Sequence, residues 1–210
     1  MCCMNNSDMP IIDSKILREK IKDNSIRIVD VRREQDYQLG HITNAVNLPL
    51  AKLLADDSVE SIQKIAQDLG ISDETSVVIY DDTFGALSSR VVWALQYIGH
   101  KDAKLLDVTF SQWKTLGYEI STEVPEIESA THSIKENKEI MATAEYLEKV
   151  KENKNVIIID NRERLNYLEQ HIPGAINIPY RTLATDGKIL RTKEGMKNLL
   201  KNRGISEDAE

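Results

Sequence analysis

The sequence predicts an α/β fold built twice, each unit a parallel sheet flanked by helices and the second unit incomplete. Three observations lead there. A motif-rich segment near the start recurs 130 residues later, as in the pairs Asp30/Asp160, His41/His171 and Pro49/Pro179. Short β-branched runs alternate with stretches of helical period, the pattern of parallel β-α units. The 210 residues are 41% hydrophobic and 29% charged, an ordinary globular balance with length enough for two small domains.

Taken in order, Asp13 or Ser14 is placed to cap a helix that carries Ile16, Leu17 and Ile21 on one face. Ile26 to Val31 is a nearly continuous apolar run, which suits a strand buried on both faces. Val46-Asn47-Leu48 reads as a second strand. Val59, Ile62, Ile65, Ala66 and Leu69 follow helical spacing and stop at Gly70, a good C-terminal signal. Val77 to Tyr80 forms a third strand, a loop from Asp81 to Ser89 leads into a helix over Arg90 to Ile98, Leu105-Leu106 is a fourth strand and Phe110 to Leu116 a last helix. Thr143, with Leu147 and Val150 behind it, repeats the first cap and helix.

The repeat is dense. Ile28-Val29-Asp30-Val31-Arg32 matches Ile158-Ile159-Asp160-Asn161-Arg162, and Tyr37 with His41 to Pro49 matches Tyr167 with His171 to Pro179. Gly70-Ile71-Ser72-Asp73 then returns as Gly204-Ile205-Ser206-Glu207, now 134 residues on, so four residues were inserted between. A period this long suits a duplicated domain rather than a solenoid unit. The boundaries expected are residues 11–121 for the first unit, a polar linker over 122–139, and 140–210 for the second, which ends before its third and fourth strands. An unfinished unit leaves its first strand with an open apolar edge.

Charge and composition exclude several function classes. The net charge is −7 and a phosphate backbone would be repelled, so no nucleic acid is expected as a partner. No apolar run nears the roughly 18 residues that span a bilayer, and no basic-then-apolar leader is present, so no membrane partner and a cytoplasmic location are expected. The two cysteines, Cys2 and Cys3, sit side by side near the start, which excludes a disulfide framework. They read as part of an unstructured tail; a metal or lipid site lacks a neighbouring His or further Cys.

In open parallel sheets ligands bind beyond the carboxyl ends of the strands. The loop after Val77–Tyr80 precedes a helix, so its backbone N–H groups and the positive end of the helix dipole form an anion cradle. One Gly and no Lys between Asp82 and Ser89 argue against a nucleotide phosphate loop. His41 and His171 read as hydrogen-bonded turn residues, and Trp93 and Trp113 as core.

These residues resemble the rhodanese family. The Asp-x-Arg strand end, the His-Ile-x-x-Ala-x-Asn-x-Pro segment, Arg90-Val91-Val92-Trp93 and Leu106-Asp107 with Trp113 and Gly117-Tyr118 carry the resemblance, which runs from about Ile11 to Glu210. The layout is similar to tandem thiosulfate or 3-mercaptopyruvate sulfurtransferases. The resemblance implies a cysteine directly after the third strand, whose thiolate takes sulfane sulfur from a small-molecule donor and passes it to cyanide or a thiol. A thiol near its ordinary pKa of roughly 8.5 needs a ring of amides to ionise. No metal or organic cofactor is implied; the persulfide is the carrier.

In the first unit that loop is Asp81-Asp82-Thr83-Phe84-Gly85-Ala86-Leu87-Ser88-Ser89-Arg90, with Asp81 where the nucleophile would be. The loop residues Asp81, Asp82, Gly85 and Arg90 therefore mark a degenerate site. Val108-Thr109 in place of Gly-Gly and Thr43-Asn44 in place of Pro-Gly agree with that. The second unit keeps His171-Ile172-Pro173-Gly174-Ala175, with Gln170 for the usual Gly. By the repeat its nucleophile falls near position 215, and no cysteine stands between Met4 and Glu210, so no catalytic residue is assigned. Asp160 and Arg162 read as a strand-end ion pair, with support of an active loop as the alternative; Arg162 and Arg164 are candidates for holding an anionic donor. A fragmentary sequence, a deliberate fragment and a pseudo-enzyme all fit the second unit. A non-catalytic rhodanese-like binding module is the competing function, and an arsenate reductase or phosphatase on the same fold a third.

Overall fold

The computed structural model describes residues 10–22, 25–185 and 187–206; Cys2 and Cys3 lie outside them. The described residues form two compact units, the first running through Ile140 and the second beginning at Met141.

The first unit opens with strand β1 (Ile11–Ile12) and helix α1 (Ser14–Ile21). Asp13 caps α1, its carboxylate accepting from the Lys15 N–H at 2.8 Å. Leu17 is fully buried while Ile16 is 52% exposed. The expected apolar face is thus corrected: Leu17 and Ile21, four residues apart, face inward, and Ile16 is turned about 100° away. There follow β2 (Arg27–Asp30), α2 (Glu34–Gln38), β3 (His41–Ile42), β4 (Ala45–Asn47), α3 (Leu50–Ala55) and α4 (Val59–Asp68). Then come β5 (Val77–Tyr80), α5 (Ser88–Tyr97), β6 (Ala103–Leu106), α6 (Phe110–Thr115) and β7 (Ile120–Ser121).

Five strands make one parallel sheet in the order β1-β6-β5-β2-β4. The near-continuous apolar strands are explained by their position. Val29, Val77 and Ile79 join the core on one face with Leu53, Ile62 and Leu95, whereas Ile28, Val78 and Tyr80 join the core on the other with Leu17 and Trp113. Both faces of β2 and β5 are covered, so both are apolar except at the ends of β2, where Arg27 and Asp30 stand. β3 and β7 form a small antiparallel pair, Ile42 opposite Ile120. Trp113 is fully buried and its indole donates to the Glu119 carbonyl at 2.9 Å, whereas Trp93 is half-buried and stacks on Tyr97.

The polar segment expected as a linker runs along the first unit. Ala130 N–H donates to Gln67 O, Lys135 N–H to Ile98 O and Asn137 N–H to Tyr97 O. This stretch ends in a 3₁₀ turn at Lys138–Ile140.

The second unit holds α7 (Ala144–Val150), β8 (Ile159–Asp160), α8 (Arg164–Glu169), β9 (Ile176–Asn177), a 3₁₀ turn at Tyr180–Leu183 and α9 (Lys193–Lys201). Thr143 caps α7 through the Tyr146 N–H, 3.2 Å. β8 and β9 pair in parallel with Ile159 opposite Ile176 and Asp160 opposite Asn177. That is the register of Val29 with Val46 and Asp30 with Asn47 in the first unit. In the first unit β2 has a second neighbour, β5; among the described residues β8 has only β9. No helix among the described residues is long and apolar enough to cross a membrane.

Candidate functional site: a carboxylate-filled anion cradle and its repeated frame

β5 is the central strand of the sheet, and its carboxyl end delivers Asp81 into the loop before α5. Phe84 (φ 56°) and Gly85 (φ 85°) are both left-handed, and this turns successive amides inward into a nest. The Asp81 carboxylate occupies it. One oxygen accepts from the N–H groups of Thr83 and Gly85, and the other from those of Leu87 and Ser88, all at 2.9 Å; the Ser88 hydroxyl adds a fifth donor at 3.0 Å. Asp81 is 2% exposed. The loop is therefore an anion cradle, as the sequence suggested, and the anion in it is the protein's own side chain.

Asp82 does a different task. Its carboxylate accepts from the backbone and hydroxyl of Ser111 at 2.8 and 2.6 Å, tying the loop to the first turn of α6. Arg90 lies away from the cradle, on the exposed side of α5, paired with Asp57 at 2.8 Å. Beside the loop is a cleft of about 510 Å³ whose wall includes Arg32, Arg33, Asp82, Thr83, Phe110 and Lys114. The Arg32 guanidinium stacks 3.7 Å from the centre of the Phe110 ring.

The strand-end frame behind the cradle is built from the next strand. Asp30 is fully buried and takes Arg32 in a fork, with Nη2 to Oδ2 at 2.6 Å and Nε within 3.1 Å of both oxygens. Arg32 also donates to the Gly40 carbonyl at 2.7 Å. The Tyr80 hydroxyl donates to Asp30 at 2.6 Å and accepts from the Ile42 N–H at 3.0 Å. Burial, and then the Asp30 charge, push the Tyr80 phenol well above its ordinary range. His41 stacks on Tyr37 with ring centroids 3.8 Å apart, its Nδ1 2.9 Å from the Tyr37 carbonyl and Nε2 3.0 Å from that of Glu123. It is a structural histidine.

The second unit copies this frame closely. Arg162 forks onto Asp160, with 2.6 Å from Nη2 to Oδ2, and donates to the Gln170 carbonyl at 2.6 Å. His171 stacks on Tyr167 at 3.9 Å with Nδ1 2.7 Å from the Tyr167 carbonyl. The Arg162 hydrogen bond holds the Asp160 carboxyl below the usual range. Exposure differs sharply: the Arg162 side chain is 51% exposed and Arg32 10%. Arg164 opens α8 on its exposed side. Asp160 and Arg162 thus meet, while among the described residues no hydrogen bond or ion pair joins Arg164 to them.

Sequence reasoning missed Tyr80 and Ser88 as members of the site. Each reads locally as a strand end or loop filler, and only the tertiary contacts to Asp30 and Asp81 reveal them. Phe110 and Lys114, on the cleft wall, carry no local signal either.

An open parallel sheet whose central strand runs into a ring of inward amides defines an α/β protein whose turn encloses an anion, here the Asp81 carboxylate. The family is shown by comparison: the rhodanese-like domain model matches residues 13–116 and again 143–205, and the chain belongs to that family, as a tandem of two such segments. Among its relatives, the sulfur carrier protein TtuD of Thermus thermophilus is 26% identical, over 94% of this chain and 79% of that protein. The thiosulfate sulfurtransferase of Pseudomonas aeruginosa is 25% identical, over 97% and 82%. The crystal structure of SseA, a 3-mercaptopyruvate sulfurtransferase from Escherichia coli, superposes with a TM-score of 0.85 over 96% of this chain and 86% of that one at 22% identity, a likeness of fold.

Proposed function

We propose that the chain is the scaffold of a tandem rhodanese-type sulfurtransferase. An enzyme of that type moves sulfane sulfur from a small anionic donor, thiosulfate or 3-mercaptopyruvate, to cyanide or a thiol through a cysteine persulfide. The observation that carries this reading is the five-donor ring at the end of β5. Such a ring stabilises a thiolate, and then a persulfide anion, as well as it stabilises a carboxylate. The relatives named as sulfurtransferases support the same chemistry.

In this reading the first unit is silent, because Asp81 fills its cradle with a side chain that cannot accept sulfur. By the repeat, the counterpart of Asp81 in the second unit is the position for a working cysteine, after a strand that would pair with β8 as β5 pairs with β2. No cysteine lies in residues 10–206, so these residues do not turn over sulfur donors by themselves. Arg162, half-exposed beside Asp160, and Arg164 are the cations assigned to meet the donor. The setting is cytoplasmic and the partners are small molecules. The filled cradle also supports a second reading, a non-catalytic rhodanese-like module.

Thiocyanate formation from thiosulfate and cyanide tests this. The 210-residue chain is expected to match a Cys2→Ser/Cys3→Ser control, and turnover above that control overturns the placement of the nucleophile. Extending the chain with a strand and cysteine loop in the register of Val77–Asp81 is expected to confer turnover. A correctly folded extension that stays inactive favours the binding module.

A further inference from the structure

Two buried histidines fasten the segment that joins the units. His100, between α5 and β6, is 3% exposed, and His132, in the strap of residues 123–140, is 2% exposed. His100 Nδ1 lies 3.2 Å from His132 Nε2. Their outer nitrogens, His100 Nε2 and His132 Nδ1, are buried without hydrogen-bond partners. The strap is fitted closely around them. Gln63 of α4 donates to the His132 carbonyl at 2.7 Å and the Asp73 carboxylate accepts from the Ser133 N–H at 2.9 Å. At Gly99 (φ +96°) a Cβ would stand 2.4 Å from the Lys135 carbonyl oxygen, so only glycine lets the strap pass.

We propose that the His100–His132 pair is a pH-operated latch, which holds the strap on the first unit while neutral and releases it on protonation.

The proton count gives the direction. A neutral pair has one N–H in the shared bond and one on an outer nitrogen. Asp73 Oδ1, 3.8 Å from His132 Nδ1, favours the proton there, so His100 donates across the pair and its Nε2 is bare. A further proton lands on His100 Nε2, a buried nitrogen with no well-placed hydrogen-bond partner, so the added charge is poorly satisfied. The charged groups around the pair do not change that outcome. Asp102, next to His100, is already engaged by Lys104 and Ser76. Asp73 is 46% exposed and shares the field of Lys135, α4 contributes the uncharged Gln63, and Lys101 beside His100 is exposed. Burial, and then His132, hold His100 below the ordinary imidazole range, outweighing the Thr75 and Asp102 carbonyls. The released strap therefore binds protons that the docked strap excludes. Docking is complete above about pH 6.5 and weakens as pH falls through that value. Because the strap is the covalent tether between the units, its release lengthens the free chain between them.

Amide exchange of the full chain followed by NMR, corrected for intrinsic rates, tests the latch. Protection of Ala130, Ser133, Lys135 and Asn137 is expected to fall about tenfold between about pH 7.5 and pH 5.5 for one excluded proton, with β2 and β5 amides unchanged. In His100→Asn, whose amide replaces Nδ1 as a donor, the strap is expected to keep one protection at both pH values. Equal protection of the wild-type strap at both pH values, or an unchanged drop in the variant, overturns the proposal. Should the variant not fold, histidine ring titration of the wild type decides: both rings titrating near the ordinary imidazole value with the strap still protected overturns it.

Discussion

Five donors converge on the Asp81 carboxylate, so truncating it leaves a ring of buried N–H groups facing nothing. Asp81→Ala is expected to cost about 2–4 kcal/mol in urea denaturation, the penalty of orphaned buried donors; a loss below about 0.5 kcal/mol contradicts the cage. Two tyrosines provide an independent check at this scale. Burial, and then the Asp30 charge, push the Tyr37 phenol up to about 12, and the Tyr80 phenol is raised by the same causes. A raised folded-state pKa favours the protonated phenol. Stability from Tyr37 is full below the unfolded value near pH 10 and is lost as pH rises from there through about 12; that from Tyr80 is likewise full below pH 10 and lost above it. Phenolate absorbance at about pH 11 in the native state is expected to fall at least two tyrosines short of the seven present. Full ionisation with the fold intact contradicts their burial. The position of Asp81 was legible from the strand-loop-helix pattern and the family resemblance. Its partner Ser88 was not, since a serine at a helix start has many ordinary uses.

The strand-end frames of the two units share their residues and differ in cover, and that is a test of what burial contributes. Asp30→Asn strips the charge partner from an arginine that is 10% exposed, and about 3–5 kcal/mol is expected to be lost. Asp160→Asn does the same beside an arginine that is half in water, where screening leaves little to lose. The melting temperature is expected to stay within error of wild type. Equal effects in thermal denaturation contradict the difference in cover. At this scale the sequence carried the main strands and helices because β-branched runs and helical periods survive in single elements. β1 was missed because two residues have no period, and α2 and α3 because five- and six-residue helices depend on packing rather than pattern. The docked strap was read as a plain linker, for its hydrogen bonds go to other elements and leave no periodicity in its own residues.

Seen whole, the chain is a parallel sheet in a complete unit followed by a second frame whose first strand has one neighbour among the described residues. The first unit has apolar cores on both sheet faces. The second contributes four buried hydrophobic residues among those described, Ala175, Ile178, Ile189 and Ile205. Amides of β8 and β9 are therefore expected to exchange faster than those of β2 and β5, by at least about a hundredfold, since local stability follows buried apolar contact. Equal protection indicates that the second unit is stabilised by more than its own core. In the proposed function the turn after β5 is an anion cradle able to carry sulfur chemistry and silenced by one side chain. Asp81→Cys in the Cys2→Ser/Cys3→Ser background tests it most directly, by titrating thiolate ultraviolet absorbance. The introduced thiol is expected to ionise at least about one unit below the ordinary value near 8.5; ionisation at or above that value rules out a cradle that stabilises a thiolate.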